Sequence, residues 1–238
     1  MSRTVAAGRP DTRSMGVIHA ALRRDLDRAT IVLGGTPVPS GARVRAIAEH
    51  LVWLMDFLDH HHQAEDDRLY PFTRAKNAAA AALLEAMESD HAGIQEPMAE
   101  IIDASRSAQD DSIPLQDRTA RLTAAVEGLR GPLYPHLERE ELELMPVVED
   151  SVTQADWDAY EHPLQDRPKS ELAFIGHWAI DGLAEEIQPV ITGVVPAPVK
   201  FVLLHFLGGP YKKRVRSMWE GTPAASVRSE PLFARGHP

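Results

Sequence analysis

HHQAEDDRLYP (residues 61–71) and HLEREELELMP (residues 136–146) are one polar phrase written twice in a single chain. Both read His-x-x-x-Glu-acid-x-x-Leu-x-Pro, in surroundings otherwise rich in Leu and Ala. Phase decides what the phrase means. The flanking apolar residues advance in alternating steps of three and four, the stripe by which a bundle helix faces its core. His61 and Glu65 continue the stripe Val44, Ile47, Leu51, Leu54, Leu58, and His136 and Glu140 continue Leu122, Val126, Leu129, Leu133.

Two further segments carry a histidine in the same phase. His19 leads Leu22, Leu26, Ala29 and Leu33, and His91 follows Leu84 and Met87 and precedes Ile94, Met98 and Ile101. A spacing of four residues sets His and Glu about 40° apart on a helix, close enough to share an ion. A glutamate in a bundle core is strongly disfavoured unless it is paired or metal-bound. Taken singly, His19 or His91 reads as a hydrogen-bonded core histidine, and one His-x-x-x-Glu as an exposed helix pair. In phase together, they predict a shared cation site. Four imidazoles and two carboxylates exceed one tetrahedral zinc and suit two octahedral ions bridged by the carboxylates and by oxo or hydroxo species. Mixed nitrogen and oxygen donors favour non-haem iron, with manganese or zinc as alternatives.

The rest of the chain sets the frame. Its 238 residues are 44% hydrophobic and only 6% aromatic, which favours helices. The net charge of −10 argues against a nucleic-acid partner. The absence of cysteine removes disulfides, thiolate nucleophiles, iron–sulfur clusters and cysteine-ligated zinc. The N-terminal MSRTVAAGRPDTRSMG has no apolar h-region, and FVLLHFL (201–207) is far shorter than the roughly 20 residues of a membrane span. The expected location is the cytoplasm.

The pattern predicts an all-α fold: an up-down four-helix bundle over 14–150, a helical C-terminal extension over 151–220 and a poorly ordered tail over 221–238. The helices are expected from Ser14, as N-cap, to Leu33, from Gly41 to Leu69, from Ala78 to Ser107, and from Leu115 to Val148. Pro71 is expected to end the second, and Pro97, Pro132 and Pro135 to kink or break the third and fourth. EHPLQDRPKS (161–170) reads as a linker and ELAFIGHWAIDGLAEEI (171–187) as an amphipathic helix.

With these residues assembled, the chain resembles the hemerythrin-like (HHE cation-binding) family. VIHAALRRDLDRA is similar to the family's first helix, DHHHQAEDDRLYP to its second, SDHAGI to its third and PHLEREELELMP to its fourth. The resemblance implies His19, His61, Glu65, His91, His136 and Glu140 as ligands, with the two carboxylates bridging a pair of irons. Two departures stand out. Oxygen-carrying members have a second histidine four residues after the one on the third helix, where this chain has Gln95. They also use an aspartate five residues after the last histidine, where this chain offers Glu140 at four and Glu141 at five; stripe phase favours Glu140 and leaves Glu141 open.

A missing imidazole implies a more open site, and shifts the expectation from reversible oxygen transport towards peroxide or nitric oxide chemistry in oxidative stress. The expected partner is a small diatomic ligand or peroxide, and Gln95 is a candidate hydrogen-bond donor to it. If the protein is an enzyme, it would be an iron-dependent oxidoreductase of catalase or peroxidase type. The alternatives are an iron, gas or redox sensor without turnover, and a Zn- or Mn-stabilised structural bundle. His60 and His62 are expected in solvent or behind the ligands, His50 in a structural role, and Tyr70 and Tyr134 in packing. Asp66 and Glu141 are expected to face outward or to orient ligands. The basic cluster Lys212, Lys213, Arg214 and Arg216 beside apolar residues fits packing on the bundle or self-association better than contact with an anionic membrane.

Overall fold

The structure, a computed structural model, describes residues 8–161, 167–193 and 207–234. Four rods form the bundle. The first is α1 (Arg13–Leu33). The second is α2 (Gly41–Ala64), a π turn (Glu65–Leu69) and α3 (Tyr70–Lys76). The third is α4 (Ala81–Ala108). The fourth is α5 (Leu115–Arg139), a second π turn (Glu140–Leu144) and α6 (Met145–Ser151). Beyond them lie α7 (Gln154–Glu161), α8 (Lys169–Ile180), α9 (Pro189–Thr192) and α10 (Gly209–Trp219).

The rods pack around one core in the order α1, α5, α4, α2. His19, near the start of α1, meets His61 near the end of α2, and His136 at the end of α5 meets His91 in the first half of α4. Neighbouring rods therefore run in opposite directions. Every apolar residue of the four predicted stripes is buried. A long apolar cluster from Val17 to Leu133 fills most of the bundle, and a smaller one, including Leu69, Tyr70, Met87, Leu144 and Trp157, closes one end.

The repeated phrase has a backbone meaning as well as a side-chain one. The amide of Tyr70 reaches back five residues to the carbonyl of Glu65, and that of Met145 to Glu140. Each phrase therefore inserts one extra residue into its helix, the device known as a π bulge. Pro71 and Pro146 follow in the first turn of the next helical piece. Pro71 does not end its rod, contrary to expectation. A proline ring clashes with the carbonyl four residues back, and the wider turn just before it makes room. The helical backbone also runs unbroken through Pro97, Pro132 and Pro135.

At the start of α1, Ser14 is not the cap; its hydroxyl donates to Glu161 at 2.6 Å, while Thr12 donates to Glu149 at 2.7 Å. Ser40 caps α2 by accepting from the Arg43 amide.

The extension is part of the packing. Trp178 of α8 is fully buried, 5.4 Å from Trp53 and 4.7 Å from Phe57 in ring centroids. Under it lies a buried polar network. Arg24 Nη1 donates to the carbonyls of Trp178 (2.9 Å) and Asp181 (2.6 Å), and its Nε to Asp25 Oδ1 (2.8 Å). The other oxygen of Asp25 accepts from Trp178 Nε1 at 2.9 Å and lies 2.6 Å from His50 Nε2, which gives His50 its structural role. Burial pushes Asp25 upward, but Arg24 and His50 hold it well below the usual carboxylate range.

The amphipathic helix expected over 171–187 ends at Ile180, before Gly182, whose φ of +68° is one that side chains rarely adopt and where an added Cβ would lie 3.2 Å from the Ser229 nitrogen. Ser229 returns a hydrogen bond to the Gly182 carbonyl, and Leu183 pairs with Ser229 in a parallel bridge. Residues 221–234, expected to be poorly ordered, thus lie along α1, with Ala224 and Ser229 buried.

Half of the expected linker, 162–166, falls outside the described residues, as do His162, His205, His237 and most of FVLLHFL, while the linker's last two residues already belong to α8. Helix α10 buries Tyr211, Met218 and Trp219 against α2 and α8, with Lys212, Lys213 and Arg216 exposed. Among the described residues no helix is long and apolar enough to cross a membrane.

Candidate metal centre

Seven side chains converge between the two apolar clusters: His19 from α1, His61 and His62 from α2, His91 from α4, His136 from α5, and Glu65 and Glu140 from the two π turns. Six are those expected from the sequence. His62 is the seventh, and its placement corrects the expectation of a solvated position: it is 1% exposed. Adjacent residues on a helix diverge by about 100°, so His61 and His62 reach different neighbours. The donor atoms of His19, His61, Glu65 and Glu140 lie within 4.8 Å of one another, as do those of His62, His91 and His136.

For two of the rings, carboxylates outside the cluster fix which nitrogen points in. His19 Nδ1 lies 3.2 Å from Glu141 Oε1, and His91 Nδ1 lies 2.9 Å from Asp66 Oδ1. A neutral ring that gives its Nδ1–H to a carboxylate presents a bare Nε2. Those inward nitrogens approach His61 Nε2 (3.2 Å from His19), Glu140 Oε2 (3.4 Å from His19) and Glu65 Oε2 (3.5 Å from His91). His61 Nε2 comes within 3.0 Å of Glu65 Oε1.

Yet both oxygens of Glu65, Oε2 of Glu140 and both nitrogens of His62 and His136 are buried without a hydrogen-bond partner. Lone pairs aimed at lone pairs in a dry core cost free energy. A cation among them removes that cost, so the residues present fit a bound metal.

Charge follows the same logic. Burial lowers His19 and His91, lowers His61 and His62 further, and takes His136 down to about 2. Burial and the neighbouring Glu141 push Glu140 up to about 8; burial and Glu140 push Glu65 well above its ordinary range. Burial thus favours the neutral form of all five imidazoles and of both inner carboxyls. Burial also raises Glu141, but His19 and Arg23 hold it below its usual value.

Glu140 and Glu141 thus divide the work: the first points into the cluster and the second supports His19 from behind. Tyr70 does more than pack. Its hydroxyl donates to Glu140 Oε1 at 3.4 Å and lies 3.4 Å from His91 Nε2. Tyr134 points elsewhere, donating to Asp27 at 2.7 Å. Gln95 is exposed and donates to Asp59, outside the cluster, so it is not placed to meet a ligand there. His60 is exposed, with Nδ1 2.7 Å from the Asp56 carbonyl.

Fold and donor set together define a helical bundle built around a buried histidine and carboxylate cation site. Residues 12–148 match the model of the hemerythrin HHE cation binding domain. That is more than half of the chain, which belongs to this family. No curated protein and no solved structure matches it.

Proposed function

We propose that the protein is a non-haem di-iron protein that binds or reacts with a small oxidant: O2, H2O2 or NO. The observation that carries this reading is the convergence of seven donors with unpartnered, buried carboxylate oxygens, in two groups each the size of one coordination sphere. His19, His61, Glu65, His91, His136 and Glu140 would hold the ions, iron in preference to manganese or zinc. Held there, an iron pair would supply redox chemistry towards such an oxidant.

The chain's own residues do the rest. Asp66 and Glu141 hold the rings of His91 and His19 in the tautomer that presents Nε2. Tyr70, raised well above its ordinary range by burial and Glu140, stays protonated and donates its hydroxyl hydrogen to Glu140 Oε1, which favours the ionised carboxylate. The two apolar clusters exclude water. A cavity of about 200 Å3 reaches His61; Ile18, Phe57, Leu172, Ile175 and Val190 form its apolar walls and Ser14, His60, Glu161 and Arg167 its polar ones. Its size suits a small molecule.

A sensor without turnover is the second reading. It is favoured by Phe57, whose ring lies 6.3 Å from His61 and 4.7 Å from Trp178 of the extension, linking the centre to the C-terminal segment.

The test is elemental analysis and the visible spectrum after anaerobic loading with Fe(II), for the wild type and for a His136→Ala, Glu140→Ala double variant. About two irons per chain, with visible absorption lost in the double variant, is the expected result. No iron above background would overturn the reading. Oxygen release from peroxide by the loaded protein would then mark a catalase-like enzyme, and none would leave the sensor.

A further inference from the structure

We infer that His62 is itself a metal ligand, completing with His91 and His136 a three-imidazole sphere for one ion while His19 and His61 serve the other. The inference rests on the two-ion reading above and adds a residue and an asymmetry to it.

The argument begins with what His62 lacks. Its side chain is buried on the inner face of α2, and neither ring nitrogen has a hydrogen-bond partner. His50, also buried, shows what a structural histidine looks like here: its Nε2 lies 2.6 Å from the Asp25 carboxylate. His62 has no such carboxylate. Its ring instead stacks on His91 at 4.0 Å between centroids, and meets His136 edge-on at 5.3 Å. One donor nitrogen from each of these three rings lies within 4.8 Å of the other two.

Three neutral imidazoles with their donor nitrogens within 4.8 Å of one another are compatible with a divalent ion and poorly matched to one another. Without His62 the group would present only His91 and His136, against two imidazoles and two carboxylates in the other group. His62 also reaches its place without disturbing His61. The two diverge by about 100° around α2, so one turns towards α1 and the other towards α4 and α5.

The pair of ions would then be unequal. One is enclosed by three rings, none of which lines the described cavity. The other is held in part by His61, which does line it.

The test uses the full chain loaded with Co(II), whose paramagnetism displaces the ring N–H signals of each ligated histidine. Labelling histidine with 15N allows those signals to be counted. Wild type is expected to show five displaced imidazole N–H signals, one of them lost in His62→Ala. That variant is also expected to fall from about two ions per chain to about one by elemental analysis, while Gln95→Ala keeps both.

Four signals in wild type would overturn the inference whether or not the variant folds, and would leave the two-ion reading standing. Two ions and an unchanged spectrum in His62→Ala would do the same. Failure of wild type to bind metal at all would remove both.

Discussion

Glu141 Oε1 lies 3.2 Å from His19 Nδ1, on the side of the ring opposite to the cluster. Its chain neighbour Glu140 faces the same ring's Nε2 at 3.4 Å. Successive residues thus serve the inner and the outer edge of one imidazole. Replacing Glu141 by Gln removes the charge that orients His19 while leaving the inner donors in place. Metal affinity is expected to fall about 10- to 100-fold, as measured by competition with a chelator, with the number of ions unchanged at saturation. An unaltered affinity would show that His19 needs no support.

The inner carboxyls make a pH prediction. Glu140 is raised to about 8 and Glu65 well above 4.5 in the folded, metal-free protein, whereas both titrate near 4.5 when unfolded. Between these limits the folded state binds more protons, so metal-free stability falls as pH rises from about 4.5 to about 8. A cation must displace those protons, so its stabilising effect grows over the same window. The difference in Tm between loaded and metal-free protein is expected to widen between about pH 5 and pH 8. A gap that stays constant would contradict the assignment of these carboxyls as ligands.

The Arg24–Asp25 pair is expected to behave oppositely. Asp25 is held below its ordinary 3.8 in the fold, so its contribution is complete above that pH and is lost as pH falls below it. Asp25→Asn leaves Arg24 buried without its counter-charge and is expected to cost about 3–5 kcal/mol. Urea unfolding at neutral pH checks the magnitude. The same series in acid should show the variant losing less stability below about pH 4 than the wild type.

The π turn offers a deletion experiment. Removing the exposed Asp67 takes out the extra residue between Glu65 and Tyr70. The turn then reverts to a regular helix in which Tyr70 stands four residues after Glu65 and keeps nearly its direction, while the residues between them, Asp66 among them, are re-aimed. Helix content by circular dichroism is expected to change little, while metal affinity falls because Asp66 no longer supports His91 Nδ1. Unaltered affinity would mean that the bulge does not position Asp66.

The six expected donors were legible because each sits in phase with buried neighbours, and a helix converts spacing into direction without help from the rest of the fold. His62 was hidden by the same rule. One stripe has one inward position per turn, and the cluster here takes two adjacent residues, His61 and His62, from the same helix. The charged residues of α1 were illegible for another reason. Arg24, Asp25 and Arg28 are buried against Trp178, Asp181 and Val227, residues some 150 to 200 positions later. No local pattern carries that information. The path through Pro71 was misread because the π turn before it, which makes room for the ring, leaves no mark in the hydrophobic spacing.

The placement of the tryptophans has an optical consequence. Trp178 and Trp53 stand behind Phe57 on one side of the centre, and Trp157 packs in the apolar cluster on the other. Any ion that absorbs in the near ultraviolet would drain their excitation and dim the protein's native fluorescence. Occupancy can therefore be followed in real time by its own emission, without a dye or a tag.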